Sequence, residues 1–380
     1  MTSRIPVHVE VAVRQSAQPA EIIRQHVLAF LQSEAQFSLG SLELPSDNPL
    51  ATYVEIMEVT QLGTTRNGAT LVSFWQADLK VHVFTLSDVP PEADVIEAPD
   101  GDGGEDMSPC SQFILPRRDF QGLWGSLVLE PGCKERLVDF ASSSLHFAAA
   151  GVQPHVISSN RMVLLHGPPG TGKTTLCKAL AQKLAVRLSH VYEGAVLVEI
   201  HSHSLFSKWF SESGKLVARL FEHIQELVDD ESCMVCLLID EVESLTSARS
   251  SAASGSEPSD AVRVVNAILT QLDRLKRFPN VLTLCTTNLA SSIDAAFVDR
   301  ADIKAFIGLP PTAGCYTILR DCMEELMRVG LVAPPLEIAP VRRDLHVLLF
   351  AAFCARALAQ CNDTLSIIWL VRYRALILMR

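Results

Sequence analysis

Residues 163–176, VLLHGPPGTGKTTL, place glycines, a lysine and threonines between an apolar run and a helical pattern. Glycines let backbone N–H groups come close to a phosphate, and the N-terminus of the following helix attracts the same negative charge. A lysine at this spacing supplies a cation to the outer phosphates, and the next threonine supplies a hydroxyl for Mg²⁺. The pattern therefore predicts a phosphate-binding loop made of Gly167, Pro168, Pro169, Gly170, Thr171, Gly172, Lys173, Thr174 and Thr175.

A second apolar run, in MVCLLIDEVESL, ends in two adjacent carboxylates, Asp240 and Glu241. An aspartate at the end of a buried strand can hold Mg²⁺ together with Thr174, and the neighbouring glutamate can orient or deprotonate a water. The alternative is a pair of acids that only cap a strand. Glu241 favours a hydrolase over a kinase, because a kinase does not activate water.

Two further residues follow in the order that such a site requires. Asn288 closes a third apolar run, NVLTLCTTN, where an amide can position the same water. Arg300, in FVDRADIK, is placed to reach the nucleotide of a neighbouring subunit as an arginine finger. We predict catalytic roles for Glu241, Asn288 and Arg300.

Composition sets outer limits on the class of protein. The chain has 380 residues, 48% of them hydrophobic and 20% charged, as in ordinary globular proteins. A formal charge of −11 argues against sequence-independent binding of nucleic acid, which needs a basic surface. Ten cysteines without a disulfide framework or a secretory signal indicate reduced thiols in an intracellular protein, and no apolar run suggests a membrane span.

Two pairs of possible metal ligands have simpler explanations. Cys233 and Cys236 lie within an apolar run, which favours a buried strand over a zinc site. His201 and His203 lack a third ligand nearby, which favours ordinary polar or capping roles.

The order of elements predicts an α/β fold. From Arg161 onward, strands alternate with helices, which is typical of a parallel sheet flanked by helices. Leu176, Leu180, Leu184 and Leu188 recur every four residues and predict a helix that packs on that sheet. Before it, HVEVAVR and TLVSFWQADLKVHVFTL predict strands, and EIIRQHVLAFLQ predicts a helix with Ile23, Val27 and Phe30 on one face.

Together these blocks resemble the AAA+ ATPases, and within them the pachytene checkpoint branch. The resemblance is carried by GPPGTGKTTLCKALAQKLAVRLS, EIHSHSLFSKWFSESGKLV, LLIDEVESLTSAR, EPSDAVRVVNAILTQLD and AFVDRADIKAFIG. The block SHSLFSKWFSESGKLV is the most specific of them. The resemblance is close over residues 120–330 and loose before them.

The resemblance implies an ATP- and Mg²⁺-dependent homo-hexamer that remodels HORMA-domain proteins together with a HORMA-type adaptor. It implies that Lys208, Trp209 and Phe210 form a pore loop that grips polypeptide, with residues 247–260 as a second channel loop. A large aromatic side chain can hold any chain segment by burial; the alternative is that Trp209 or Phe210 packs beneath the loop. The resemblance further implies roles in spindle checkpoint disassembly, meiotic recombination and synapsis. It places the protein in nucleus and cytoplasm and implies no direct binding to nucleic acid or membrane.

The acidic, proline- and glycine-rich segment DVPPEADVIEAPDGDGGEDMSP and the resemblance together divide the chain. We expect an N-terminal substrate- or adaptor-binding α+β domain at 1–106 that ends in an acidic loop, a linker at 107–135, a large ATPase subdomain at 136–310 and a partial or divergent helical lid at 311–380. Residues 331–380 lack the family's lid motif, and we expect the chain to stop before a complete lid. This leaves open a nucleotide-binding interaction protein that does not hydrolyse ATP. A second alternative is an AAA+ motor acting on nucleic acid, which would need basic channel residues where the expected loops offer Lys208 and Arg249.

Overall fold

The computed structural model of the chain describes residues 4–14, 18–45, 47–63, 71–93, 110–153, 156–157, 159–202, 213–244, 260–288 and 295–330. The expected pore loop (Lys208, Trp209 and Phe210), residues 247–259 of the second channel loop and residues 331–380 of the lid lie outside these ranges.

Strands occur throughout the described ranges. In chain order they are β1 Ile5–Val13, β2 Gln36–Ser38, β3 Gly40–Ser41, β4 Val54–Leu62, β5 Leu71–Ser73, β6 Ala77–Thr85, β7 Glu92–Ala93, β8 Cys110–Leu115, β9 Met162–His166, β10 Gly194–Ile200, β11 Cys233–Ile239, β12 Val281–Thr287 and β13 Ile303–Phe306. The helices whose bounds the structure gives are α1 Ala20–Leu31, α2 Leu123–Ser126, α3 Cys133–Ala149, α4 Lys173–Arg187, α5 Ser213–Val228, α6 Asp260–Leu275, α7 Ala295–Arg300 and α8 Thr312–Arg328.

The N-terminal part is a small α+β unit, as expected from the sequence. Its four-stranded sheet has the order β3-β4-β1-β6, with β1 antiparallel to β4 and parallel to β6. Helix α1 buries Ile23, Val27 and Leu31 against this sheet. Phe30 is half-buried and packs against the same cluster, and Leu31 is fully buried beside it, because residues 23, 27 and 31 share the four-residue spacing that faces the core.

One predicted strand is interrupted. The run TLVSFWQADLKVHVFTL forms β5, a 3₁₀ turn at Phe74–Gln76 and then β6, instead of one continuous strand. Strand β5 pairs with β2 in a separate two-stranded sheet, whereas β6 pairs with β1. The aromatic and β-branched residues on both sides of the turn have the same strand propensity, so composition does not mark the break.

The larger unit is a seven-stranded sheet with the order β13-β9-β12-β11-β10-β8-β7. The five strands from β13 to β10 are mutually parallel, and β8 runs antiparallel to β10. Apolar clusters cover both faces of the sheet, which explains why its central strands are continuous apolar runs. Strand β8 comes from the segment expected to be a linker; the domain limits themselves remain predictions.

The helices that flank the sheet follow the predicted spacing. Leu176, Leu180, Leu184 and Leu188 are all buried in one cluster, with the first three on α4 and Leu188 directly after it. On the other face, α6 buries Val265, Ile268, Leu269 and Leu272. Because α4 begins at Lys173, this packing fixes the direction in which the phosphate loop enters the helix.

Candidate active site

The predicted phosphate loop connects β9 to α4 and depends on glycine geometry. A Cβ at Gly167 would lie 2.1 Å from the backbone oxygen of Ile307, the residue after β13, so the loop passes too close to that backbone for any side chain. Gly170 and Gly172 have φ angles of 77° and 86°, a region that other residues rarely adopt. The sequence folds here into a tight cradle because only glycine satisfies these three positions.

Lys173 folds back over this cradle. Its ammonium donates hydrogen bonds to the carbonyl oxygens of Gly167 at 3.0 Å and Pro168 at 2.7 Å. Thr171 Oγ1 also donates to Pro168 O, at 3.0 Å, which closes the loop on itself. Burial lowers the pKa of Lys173, opposed by the nearby carboxylates of Glu243, Asp240 and Glu241. The hydrogen bonds nevertheless hold the Lys173 side chain at the loop, where its ammonium can meet a phosphate.

The two residues predicted to hold Mg²⁺ are in direct contact. Thr174 Oγ1 donates to Asp240 at 2.8 Å from Oδ1 and 3.1 Å from Oδ2. Asp240 follows the end of β11, and Thr174 lies in the first turn of α4. A hydroxyl and one carboxylate are hard oxygen ligands, which suit Mg²⁺ bound mainly through waters and nucleotide phosphates. Together with the glycine cradle, these donors fit Mg·ATP.

Glu241 and Asn288 are also brought together. Strands β11 and β12 are parallel neighbours, so their carboxyl ends meet at one edge of the sheet. Asn288 Nδ2 lies 3.5 Å from Glu241 Oε1. Glu241 adopts a φ of 54°, uncommon for a residue with a side chain and typical of strained functional positions. The structure thus assembles Lys173, Thr174, Asp240, Glu241 and Asn288 as predicted, while their individual roles remain predictions.

Three polar side chains at this edge are not singled out by the sequence patterns. Thr286 Oγ1 donates to Asp240 Oδ1 and accepts from the Glu241 N–H at 3.0 Å. Glu243 Oε1 accepts from the Asn288 N–H at 2.9 Å. Ser202 Oγ donates to the carbonyl oxygen of Asp240 at 2.6 Å. The available signal for Thr286 was a hydroxyl residue within a buried apolar strand, two positions before Asn288.

An apolar segment within the expected linker flanks the phosphate loop. A Cβ at Gly172 would lie 2.9 Å from Leu127 Cδ2, and a Cβ at Gly314 would lie 2.9 Å from Val128 Cγ1. Gly314 belongs to α8. Leu127 therefore packs against the phosphate loop, and Val128 packs against α8.

Arg300, at the end of α7, is held by contacts within the chain. Its guanidinium donates to both carboxylate oxygens of Asp273 on α6, at 3.0 and 2.6 Å, and to Ala296 O at 2.8 Å. These hydrogen bonds lower the pKa of Asp273 to about 2. The role of Arg300 as a finger remains a prediction.

The pairs of possible metal ligands take the simpler explanation where the structure describes them. Cys236 is fully buried in β11, and burial raises the pKa of its thiol to about 12. His201 Nε2 is 2.9 Å from Ser111 Oγ; His203 lies outside the described residues. No cluster of three or more His, Cys, Asp or Glu ligands occurs in the described ranges. Within the same ranges, no helix has the length and apolarity to cross a membrane.

This arrangement can perform phosphoanhydride hydrolysis. Bound Mg·ATP supplies the bond to be cleaved and a metal that neutralises its developing charge. Lys173 places an ammonium at the loop, and Thr174 and Asp240 present oxygens to the metal. Glu241 can accept a proton from water, and Asn288 can orient that water by a hydrogen bond.

Fold and site together define a P-loop ATPase of the AAA class. The model of the ATPase family associated with various cellular activities (AAA) matches residues 163–309, and the TRIP13 N-terminal domain model matches residues 2–89. The chain is 49% identical to the pachytene checkpoint protein 2 homolog of Oryza sativa subsp. indica over 334 residues, covering 87% of this chain and 69% of the rice protein. The chain belongs to this pachytene checkpoint protein 2 family of AAA ATPases.

Two more comparisons agree. The Danio rerio pachytene checkpoint protein 2 homolog is 47% identical over 332 residues, covering 87% of this chain and 76% of the fish protein. The solved structure of C. elegans PCH-2 superposes with a TM-score of 0.73 at 30% identity, covering 100% of both chains. The expected AAA+ core and N-terminal α+β unit are therefore confirmed, as is ATPase activity.

Proposed function

We propose that this ATPase is a homo-hexameric remodeller that uses Mg·ATP hydrolysis to unfold part of a HORMA-domain protein, presented with a HORMA-type adaptor. In the cell it would act in spindle checkpoint complex disassembly and in meiotic recombination and synapsis, in nucleus and cytoplasm and on meiotic chromosomes. The family assignment gives the reaction, which is ATP hydrolysis, and the HORMA-domain substrate is proposed in addition.

The observation that carries the proposal is the hydrogen bond from Thr174 to Asp240, with Glu241 and Asn288 beside it. It joins the phosphate loop to the acidic pair, and this supports hydrolysis of the nucleotide in addition to its binding. This favours an energy-consuming function over that of a passive interaction protein.

Mechanical work also needs a surface that grips the substrate. Lys208, Trp209 and Phe210 follow β10 and precede α5 in the chain. We propose that Trp209 is the main contact, because a large flat side chain can bury against any polypeptide segment.

The N-terminal unit would recruit the substrate or its adaptor. It contacts α4, the helix that begins at the phosphate loop, through Lys183 and Glu10. A force on the N-terminal sheet would therefore reach the phosphate loop through helix α4.

The HORMA assignment comes from the family resemblance. One structural neighbour was solved as an E. coli MS115-1 HORMA:CdnC:Trip13 complex; its TM-score is 0.51 at 20% identity, over 70% of this chain and 93% of that chain. At that identity, it supports a shared fold.

The test compares Trp209→Ala with Trp209→Phe in a conformational-conversion assay on a purified HORMA protein with adaptor. The alanine variant should hydrolyse ATP and fail to convert the substrate, whereas the phenylalanine variant should retain conversion. Glu241→Gln serves as the hydrolysis-dead control. Parental conversion by Trp209→Ala would refute the role of Trp209, and conversion by Glu241→Gln would refute the dependence on hydrolysis.

The pore that Lys208, Trp209 and Phe210 are proposed to line would take polypeptide and not nucleic acid, given the formal charge of −11. Filter binding to single-stranded DNA at low salt tests this point, because non-specific binding is strongest there. Tight binding would favour a nucleic-acid motor.

A further inference from the structure

We infer that Thr286 is a positioning residue for ATP hydrolysis: its hydroxyl orients the Asp240 carboxylate and holds the backbone of Glu241 in its active conformation. The hydroxyl lies between the two acidic residues. It donates to Asp240 Oδ1 and accepts from the Glu241 N–H, at 3.0 Å.

The position of Thr286 follows from strand register. Cys285 on β12 pairs with Ile239 on β11, so the next residues along, Thr286 and Asp240, lie opposite each other. Thr286 is 1% exposed, and its β-branched side chain has few rotamers in a strand. The hydroxyl is therefore held in one place before any ligand binds.

In these two hydrogen bonds the Thr286 hydroxyl acts once as a donor and once as an acceptor. Its single proton goes to Asp240, and one of its lone pairs receives the Glu241 amide. Neither bond can run in the opposite direction, because a carboxylate has no proton to donate and a backbone N–H group cannot accept one. The bond pattern is thus directional, and it sets the carboxylate and the amide relative to each other.

Thr174 also binds the Asp240 carboxylate, yet the two threonines differ in setting. Thr174 lies at the phosphate loop and has an oxygen to offer to the metal, whereas Thr286 belongs to a strand buried on both faces. We therefore assign the fixed orientation of the carboxylate to Thr286.

The second effect concerns Glu241. Its φ of 54° is unfavourable for a glutamate and persists only where the surroundings hold it. The hydrogen bond from its N–H to Thr286 is one such restraint. The Glu241 side chain then starts from a backbone that places its carboxylate beside Asn288.

The experiment uses two matched pairs in the full chain. Thr286→Val replaces the hydroxyl by a methyl at constant shape, and Thr286→Ser and Thr286→Ala differ from each other by the hydroxyl alone. Thr283→Val is the control, because Thr283 lies on the same strand but pairs with Leu237 and Met162, away from the acidic pair.

We expect the valine and alanine variants to lose about 10–100-fold in kcat or in Mg²⁺ affinity, as is typical for residues that orient metal ligands. Binding of ATP in EDTA should be unchanged. The serine variant and Thr283→Val should resemble the parent. A purely structural role for Thr286 would lower the unfolding temperature in Thr286→Val and Thr286→Ala without changing the Mg²⁺ dependence.

A second readout does not require turnover. Hydrogen exchange at the Glu241 amide, measured without nucleotide, should be faster in the valine and alanine variants and parental in the serine variant. Parental Mg²⁺ dependence together with parental exchange in Thr286→Ala would overturn the inference. Should Thr286→Val fail to fold, the serine–alanine comparison decides the question.

Discussion

Lys183 Nζ donates a hydrogen bond to Glu10 Oε2 at 2.5 Å, and through it helix α4 joins the phosphate loop at one end to the N-terminal sheet at the other. Both side chains are buried, at 7% and 10% exposure. Thr60 Oγ1 donates to the other Glu10 oxygen at 2.9 Å. The contact between the two units is therefore polar, specific and shielded from water.

Breaking this ion pair should destabilise the protein. Lys183→Met removes the nearer of two cations from the buried Glu10 carboxylate, and Arg187 Nε stays 3.8 Å from Glu10 Oε1, so we expect a loss at or below the about 3–5 kcal/mol typical of a broken buried pair. Urea unfolding measures the difference. Lys80→Met is the matched control, because the Lys80–Asp78 pair is half exposed and worth about 0–1 kcal/mol. Equal losses in the two lysine variants would contradict the prediction.

Replacing Glu241 by Gln should trap the ATP-bound state. The amide keeps an oxygen near Asn288 but cannot accept a proton, so turnover should fall by about 10²–10⁴-fold while nucleotide affinity stays parental. Lys173→Ala should instead weaken binding, because the loop loses its ammonium. Lys178→Ala is the control on the same helix, since Lys178 pairs with Glu199. Fluorescent-nucleotide titration and steady-state ATPase assays separate these cases; parental turnover in Glu241→Gln would exclude it as the base.

Gly167→Ala should abolish nucleotide binding. A methyl group there would meet the Ile307 backbone oxygen at 2.1 Å, so the loop or β13 has to move. Gly125→Ala is the control, because no atom lies within 4 Å of its added Cβ. Titration with ATP measures the loss. Parental affinity in the Gly167 variant would show that the backbone at Ile307 can move without disturbing the loop.

Arg300 can be tested for a role in a neighbouring subunit by complementation. Arg300→Ala should lower turnover by as much as about 10³–10⁵-fold if it acts as a finger. Lys173→Ala should also be inactive. Mixing the two variants should restore activity, because a Lys173→Ala subunit still offers Arg300 to the intact loop of its neighbour. No recovery in mixed assemblies would indicate that Arg300 serves its own subunit, where it binds Asp273.

Acid should destabilise the N-terminal sheet through two histidines. His8 Nδ1 and His82 Nε2 are 3.1 Å apart, and burial lowers the pKa of His8 to about 3 and of His82 to about 4. Between pH 6.5 and about 4, the unfolded chain binds protons that the folded chain does not, so stability falls as the pH falls. Each group contributes a slope of at most about 1.4 kcal/mol per pH unit, reduced by its partial exposure to solvent.

The check is urea unfolding at pH 7.5, 6 and 5 for the parent and for His82→Gln. The variant should lose less stability on acidification. His26→Gln is the control, because His26 is an exposed residue on α1. Identical pH slopes in all three proteins would disprove the effect.

Much of the ATPase core could be predicted because its signals are local. The glycine loop, the apolar run before Asp240 and the leucine spacing of α4 each follow from what neighbouring residues in the chain require. In the N-terminal unit, local signals were weaker: the break at Phe74–Gln76 depends on β5 and β6 joining different sheets.

The sequence by itself determined the chemistry of this protein, since the phosphate loop, the acidic pair and Asn288 are defined by residue type and by their position at strand ends. Only the tertiary structure decided which groups orient them. Thr286 meets Asp240 because β12 lies beside β11, and Lys183 meets Glu10 because α4 packs on a sheet 173 positions away in the chain. Such contacts depend on strand register and packing between distant segments, which no local pattern of residues encodes.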